Sequence, residues 1–216
     1  SISGPGAGNY FSVGKTFKDL ETVFGSKTLQ EKSCFLAHGT GTPLNRITES
    51  HIVSTFAKEF GIEHLPVTSV KSKLGHTMGT AGMDQIWCGL GALESQKLTG
   101  ICTIPKLADD VFKENLDFFL DNKEFSSQKD IAFLNSKGFG GNNASAGIIS
   151  PTRAMDLAKK EFSSSDLKNY ANKKEKVLES SEKYQDDCRK GEYKVIYRFN
   201  EEVLEGLDDI KISDEG

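Results

Sequence analysis

Three short apolar runs in this 216-residue chain each deliver directly into a glycine-rich loop. Residues 33–37 lead into His38-Gly-Thr-Gly-Thr42, residues 67–70 into Lys71-Ser-Lys-Leu-Gly-His76, and residues 131–134 into Asn135-Ser-Lys-Gly-Phe-Gly-Gly-Asn-Asn143. Short apolar runs bounded by glycine fit buried strands. After the first loop, apolar spacing at Ile52, Phe56 and Phe60 predicts a helix from about Thr48 that closes at Gly61. After the second, residues 79–96 predict a long helix with Met83, Ile86, Trp87, Leu90 and Leu93 facing inward. Alternating strands and helices argue for an α/β layered fold on a mostly parallel sheet, and ligands on such sheets gather at strand ends. The three loops are therefore expected to converge on one site.

The other segments fill in this frame. The glycine-rich opening reads as loop, followed by an amphipathic helix over residues 15–24 that Gly25 ends. Residues 101–104 read as a further strand, stopped by Pro105, and residues 144–149 as a strand returning from the third loop in a hairpin. The character changes at Pro151. Charged residues crowd the last third, so residues 1–150 read as the main domain and 151–216 as a peripheral extension. Residues 156–190 read as polar helix, with Met155, Leu157, Phe162, Leu167, Tyr170, Val177 and Tyr184 as a seam against the main domain, and residues 193–199 as a late strand.

Composition excludes several functions. With a formal net charge of -4 and no block of Lys or Arg, the chain has no footprint for nucleic acid or an anionic membrane surface. No apolar run reaches the roughly 20 residues of a spanning helix, and no signal pattern opens the chain, so a cytoplasmic location is expected. Cys34, Cys88, Cys102 and Cys188 form no C-x-x-C pair, which suggests neither zinc nor redox chemistry. The first three sit among apolar neighbours and read as small core residues, while Cys188 lies among charges. The first residue is not Met, and the chain is expected to be the later part of something longer.

His38 and His76 stand apart from His51 and His64 because each lies in a glycine-flanked loop after a strand, and Lys71 shares a loop with one of them. Two neutral imidazoles aimed at one carbonyl oxygen stabilise an enolate or oxyanion, each such donor contributing about 10²–10³ in rate. A nearby ammonium favours negative charge there. The rival reading, a phosphate cradle, is weak, since neither G-x-x-x-x-G-K-[ST] nor G-x-G-x-x-G is intact and Gly138-Phe-Gly-Gly141 enters a hairpin rather than a helix.

At these loops the chain resembles the β-ketoacyl-ACP synthases, condensing enzymes of the thiolase superfamily. The motifs Ala37-His-Gly-Thr-Gly-Thr42, Lys71-x-x-x-Gly-His76 with Ala81-Gly82, and Asn135-Ser-x-Gly-Phe-Gly-Gly-x-Asn143 occur in family order. The resemblance spans residues 1–150 and corresponds to the C-terminal half of a thiolase-like synthase. The tail, with Tyr184-Gln-Asp-Asp-Cys188 and Ile196-Tyr-Arg-Phe199, looks like that of long bacterial synthases of the FabY type.

The resemblance implies a decarboxylating Claisen condensation in fatty-acid synthesis. His38 and His76 would hold the malonyl thioester oxygen, Lys71 would tune the electrostatics, and Phe139 would gate the site and lend its N–H to an oxyanion hole. Thr40, Thr42, Gly138, Gly140, Gly141 and Asn143 would meet substrate. It implies no cofactor or metal, because phosphopantetheine arrives on the acyl carrier protein. The implied partners are acyl-CoA or acyl-ACP, the N-terminal half of the synthase and a second copy. The nucleophilic cysteine belongs to that other half, so this chain alone is expected to be inactive. A thiolase-type or polyketide condensing relative, or a non-catalytic partner subunit, is the alternative.

Three departures bear on charge. Many relatives have Gly-Asp where this chain has Asn45-Arg46, Glu where it has Gln85, and an aromatic residue where it has Lys137. Gln85 is expected to offer Lys71 only an amide dipole, leaving Glu49 as the compensating anion.

Overall fold

The computed structural model of the protein describes residues 5–192. The elements are α1 (Pro5–Phe24), α2 (Ser26–Lys32), β1 (Ser33–Leu36), α3 (Pro43–Glu59), β2 (Leu65–Thr68), α4 (Lys71–Leu74) and α5 (Ala81–Ser95), followed by β3 (Lys97–Leu98), β4 (Leu116–Phe118), β5 (Lys123–Glu124), β6 (Ile131–Gly138), β7 (Asn142–Ile149), α6 (Pro151–Glu161) and α7 (Ser164–Lys190). The main sheet has the order β4-β2-β1-β6-β7, and β3 pairs with β5 apart from it. β1 runs parallel to both β2 and β6, β2 runs parallel to β4, and within this sheet β6–β7 is the antiparallel pair. The expected α/β layering, parallel sheet and closing hairpin are all present.

A central parallel strand is covered on both faces, and β1 is buried at every residue. Phe35 joins Ile131 and Phe133 on the face covered by α1 and α3, where Phe17 stacks on Phe133 with 4.0 Å between ring centroids. Cys34 and Leu36 join Ala132 and Leu134 on the other face, under Ala92 and Leu93 of α5. Burying a side chain of this size contributes about 1.5–3 kcal/mol, so the two aromatic and aliphatic layers hold β1 and β6 rigid up to the loops they feed.

From Pro5 onward the glycine-rich opening is helix rather than loop, and its glycines are points of close approach. A Cβ on Gly14 would lie 2.4 Å from Phe56 Cζ, and one on Gly8 would lie 2.8 Å from the Asn143 amide. α3 begins at Pro43, earlier than expected, since proline suits the first turn of a helix. Residues 101–104 form no strand. Leu116–Phe118 occupies the place beside β2, and Ile101 makes one backbone bond, to Phe119 at 2.8 Å.

α5 turns a different face inward from the one its large residues suggest. Its buried residues are Ala81, Gln85, Gly89, Ala92 and Leu93, whereas Met83, Trp87 and Leu90 are exposed by 62%, 77% and 40%. Small residues are needed against the sheet: a Cβ on Gly89 would come within 2.9 Å of Ile148 Cδ1. Cys34 is buried as expected, but Cys102 is exposed, because the segment that carries it leaves the sheet.

The chain divides into two compact units between Lys160 and Glu161. The polar stretch is two helices, interrupted where Ser163 caps α7 and Asp166 completes a capping box. Within the second unit Phe162, Tyr170, Val177 and Tyr184 are exposed. The expected late strand at residues 193–199 lies outside the described residues. No described helix is long and apolar enough to cross a membrane.

Candidate active site

β1 ends by delivering His38, which is only 6% exposed. The chain then turns at Gly39 with φ 53, where an added Cβ would sit 2.2 Å from Ser69 Oγ, so this position requires glycine twice over. Glu49 of α3 anchors the turn. One carboxylate oxygen accepts the His38 N–H at 2.8 Å and Asn135 Nδ2 at 2.6 Å; the other accepts the Gly39 N–H at 3.0 Å and Asn45 Nδ2 at 3.1 Å. Four amide donors thus fill one buried carboxylate and tie the first loop, α3 and β6 together. Glu49 is a keystone of the loop as well as a charge near Lys71.

The His38 ring is fixed from the third loop: its Nδ1 accepts the Lys137 N–H at 3.2 Å. That bond places the ring proton on Nε2, which becomes a donor. Burial, then the positive charges of Lys71, Lys137 and His76, pull its pKa down to about 4, against the opposing charge of Glu49. His38 is accordingly neutral at physiological pH.

His76 is arranged the same way. α4 stops at Gly75, with φ 74, and the chain turns so that Met78, itself at φ 59, donates its N–H to His76 Nδ1 at 3.0 Å. The two rings stand edge to face, 5.7 Å between centroids. In each ring Nδ1 is the acceptor, so the proton sits on Nε2; His76 lines the cavity described below, whereas His38 lies buried behind it.

Lys71 opens α4, and its Nζ is buried without a hydrogen-bond partner. Burial lowers its pKa, while Glu49 and Asp84 act in the opposite direction. Lys137 is likewise lowered by burial and supported by Glu49. Neither lysine lies within ion-pair distance of Glu49, whose oxygens are occupied by amides.

Gln85 corrects an expectation. It is fully buried, and its Nε2 donates to the carbonyls of Leu36, Ala37 and Asn135 at 3.1, 2.9 and 2.9 Å. Its amide therefore clamps the ends of β1 and β6 and makes no bond to Lys71. An amide suits this place because three carbonyls surround it and only a donor answers them.

Thr40, Glu49, Lys71 and His76 line a cavity of about 550 Å³, whose far wall comes from Ile104, Leu107 and Val111. That wall is held by Arg46, which makes two 2.7 Å bonds to Asp110. Thr42 is exposed at the start of α3. In the third loop Gly140 and Gly141 take φ 78 and 81, and Gly138 lies extended. Asn143 Nδ2 donates to the Gly141 carbonyl at 2.6 Å, which places it in the hairpin turn rather than in the cavity lining. Phe139 lies in the same turn. No described group of His, Cys, Asp and Glu could hold a metal ion.

The residues that sequence reasoning passed over are Asn45, Asn135 and the Lys137 backbone. Asn135 carried a signal, being a polar residue in phase with the buried Ile131 and Phe133.

The parallel sheet whose strand ends gather these two imidazoles and the buried lysine has the thiolase-like ketosynthase fold. Residues 30–104 match the beta-ketoacyl synthase C-terminal domain. It is 38% identical to the beta-ketoacyl-[acyl-carrier-protein] synthase FabY of Pseudomonas aeruginosa over 95% of its own length and 32% of that protein's. The crystal structure of the noncanonical ketosynthase FabY from P. aeruginosa superposes with a TM-score of 0.86 at 36% identity, covering 99% of this chain and 33% of that one. The highly reducing polyketide synthase calA of Penicillium decumbens is 36% identical over 56% of the chain and 5% of that protein. A ketosynthase from module 1 of the bacillaene synthase of Bacillus amyloliquefaciens shares the fold, with a TM-score of 0.59 at 21% identity over 67% of this chain and 26% of that one. The chain thus spans about a third of the length of FabY.

Proposed function

We propose that this chain supplies the decarboxylation half of a β-ketoacyl-ACP synthase site. The observation that carries the reading is the pair of imidazoles, edge to face, each with Nδ1 holding a backbone N–H so that Nε2 is left to donate. A malonyl thioester bound with its carbonyl oxygen between them loses carbon dioxide as the C–C bond breaks. The bonding pair becomes an enolate whose oxygen the two Nε2–H groups stabilise. Its carbon then attacks an acyl group held as a thioester on a cysteine. The new C–C bond forms, and the cysteine leaves as thiolate. Lys71 favours the negative charge throughout.

That cysteine is expected outside this chain. The Cys34 thiol is buried and pushed up to about 12, too high to ionise, and Cys102 lies in the irregular segment after β3. Thr40 and Thr42 are assigned to the phosphopantetheine arm of an acyl carrier protein, and the third loop with the Phe139 N–H to the acyl thioester oxygen. The apolar stripe Met83, Trp87 and Leu90 suits burial by the remaining two thirds of a FabY-length protein. Acyl-CoA or acyl-ACP as primer, a homodimer and a cytoplasmic location belong to the same reading, and no cofactor is invoked. The test is release of labelled carbon dioxide from malonyl-ACP by the synthase that contains this chain. Steady release supports the reading, and its absence with intact malonyl-ACP overturns it.

A further inference from the structure

Glu49 has all four of its hydrogen-bonding positions occupied by neutral amides, yet two half-buried lysines stand near it without an ion pair. One is Lys71, a member of the second motif. The other is Lys137, where many relatives have an aromatic residue. Lys137 shares a face of β6 with Asn135, two residues before it, and Asn135 bonds Glu49, so strand alternation places the Lys137 side chain on the Glu49 side of the sheet. Its own N–H is the donor that fixes His38.

We propose that Lys137 is a second positioning cation of this site, acting through His38: its N–H orients the ring, and its ammonium, which makes no ion pair among the described residues, lies on the same side of the sheet as Glu49. A protonated His38 would still donate from Nε2, but its Nδ1–H would face the Lys137 N–H, and the ring would lose its orientation. The charges that meet His38 are Lys71 from α4, Glu49 from α3, His76 from the loop beyond α4 and Lys137 from β6. Only Glu49 favours the imidazolium, and two ammoniums oppose it. The consequence is a site that keeps His38 neutral as pH falls, while its excess positive charge attracts an anionic acyl substrate.

This inference deepens the proposed function, but its decisive test does not depend on that function. The His38 ring is titrated by NMR in this chain, as wild type and as Lys137→Met, Lys137→Gln and Lys137→Arg. Removing a positive charge raises the pH at which His38 protonates. Lys137→Met and Lys137→Gln should move the midpoint up by about half a unit or more, a threefold or larger gain in proton affinity, and Lys137→Arg should leave it in place. An unchanged midpoint in whichever neutral variant folds overturns the proposal. In the synthase, the acid limb of malonyl-ACP decarboxylation should shift upward in the same variants, with Lys137→Arg rescuing it. If the synthase releases no carbon dioxide at all, the functional reading fails while the titration still decides the role of Lys137.

Discussion

The imidazole rings of His38 and His76 lie 5.7 Å apart at an interplanar angle of 85°, each held at Nδ1 by a backbone N–H. The first prediction follows from the proposal that both rings donate to one thioester oxygen. In the synthase, His38→Ala or His76→Ala should lower malonyl-ACP decarboxylation by about 10²–10³-fold and leave cysteine acylation within a few-fold. Separate assays of the two steps decide it. Decarboxylation at the wild-type rate would return that histidine to a structural role.

This chain by itself should not be acylated. Incubation with a radiolabelled acyl thioester should give no hydroxylamine-labile label. Stoichiometric labelling of any of Cys34, Cys88, Cys102 or Cys188 would refute the assignment of the nucleophile to another part of the protein.

Gln85→Glu introduces a carboxylate at the clamp and should be damaging. A carboxylate in place of the amide faces the carbonyls of Leu36, Ala37 and Asn135 with nothing to donate. The cost is about 3–5 kcal/mol at neutral pH. The introduced carboxyl would have its pKa raised in the folded state, so the deficit should shrink below about pH 4, where both states are protonated, and grow as pH rises. Thermal unfolding of variant and wild type at the two pH values checks this. Equal stability at pH 7 would show that the clamp is dispensable.

Glu49→Gln should cost about 2–3 kcal/mol, because one oxygen with two lone pairs gives way to an NH₂ that meets the donors holding it. The His38 N–H and Gly39 N–H should then exchange with solvent faster than in wild type. Unchanged protection at those two amides would remove Glu49 from its role in the loop.

The depressed pKa of His38 also makes a statement about stability. Between about 6.5 in an unfolded chain and about 4 in the folded one, the unfolded state binds the proton and the folded state does not. Stability therefore falls as pH drops through this window, by at most about 3 kcal/mol. His38→Gln should flatten that slope in Tm measured from pH 4 to 7. A slope equal to wild type would place the titrating group elsewhere.

The strands that feed the three loops were legible because each is a short apolar run ending at glycine, whereas residues 101–104 form no strand and β4 lay unread in a mixed Phe- and Leu-rich stretch. The residues that needed the third dimension are those whose partner lies far along the chain. Gly14 looks like a helix breaker until Phe56 is seen against it, and Gly89 gains its reason only from Ile148. Periodicity on α5 finds an apolar stripe at Met83, Trp87 and Leu90, but a stripe does not say what covers it. The sheet took the small-residue face instead. Gln85 was read through charge, as a missing anion for Lys71, and only the carbonyls of β1 and β6 reveal it as a donor. Glu49 was found by motif, and its four amides come from residues 38 to 135, which no local window contains.

The exposed side of α5 has one more consequence. Trp87 is the single tryptophan of the chain and is 77% exposed. Its indole is therefore a built-in fluorophore placed on one face of one helix. Emission excited at the tryptophan band reads water at that face alone, and any macromolecule that settles there announces itself by a blue shift and by loss of quenching by iodide, without a label being added.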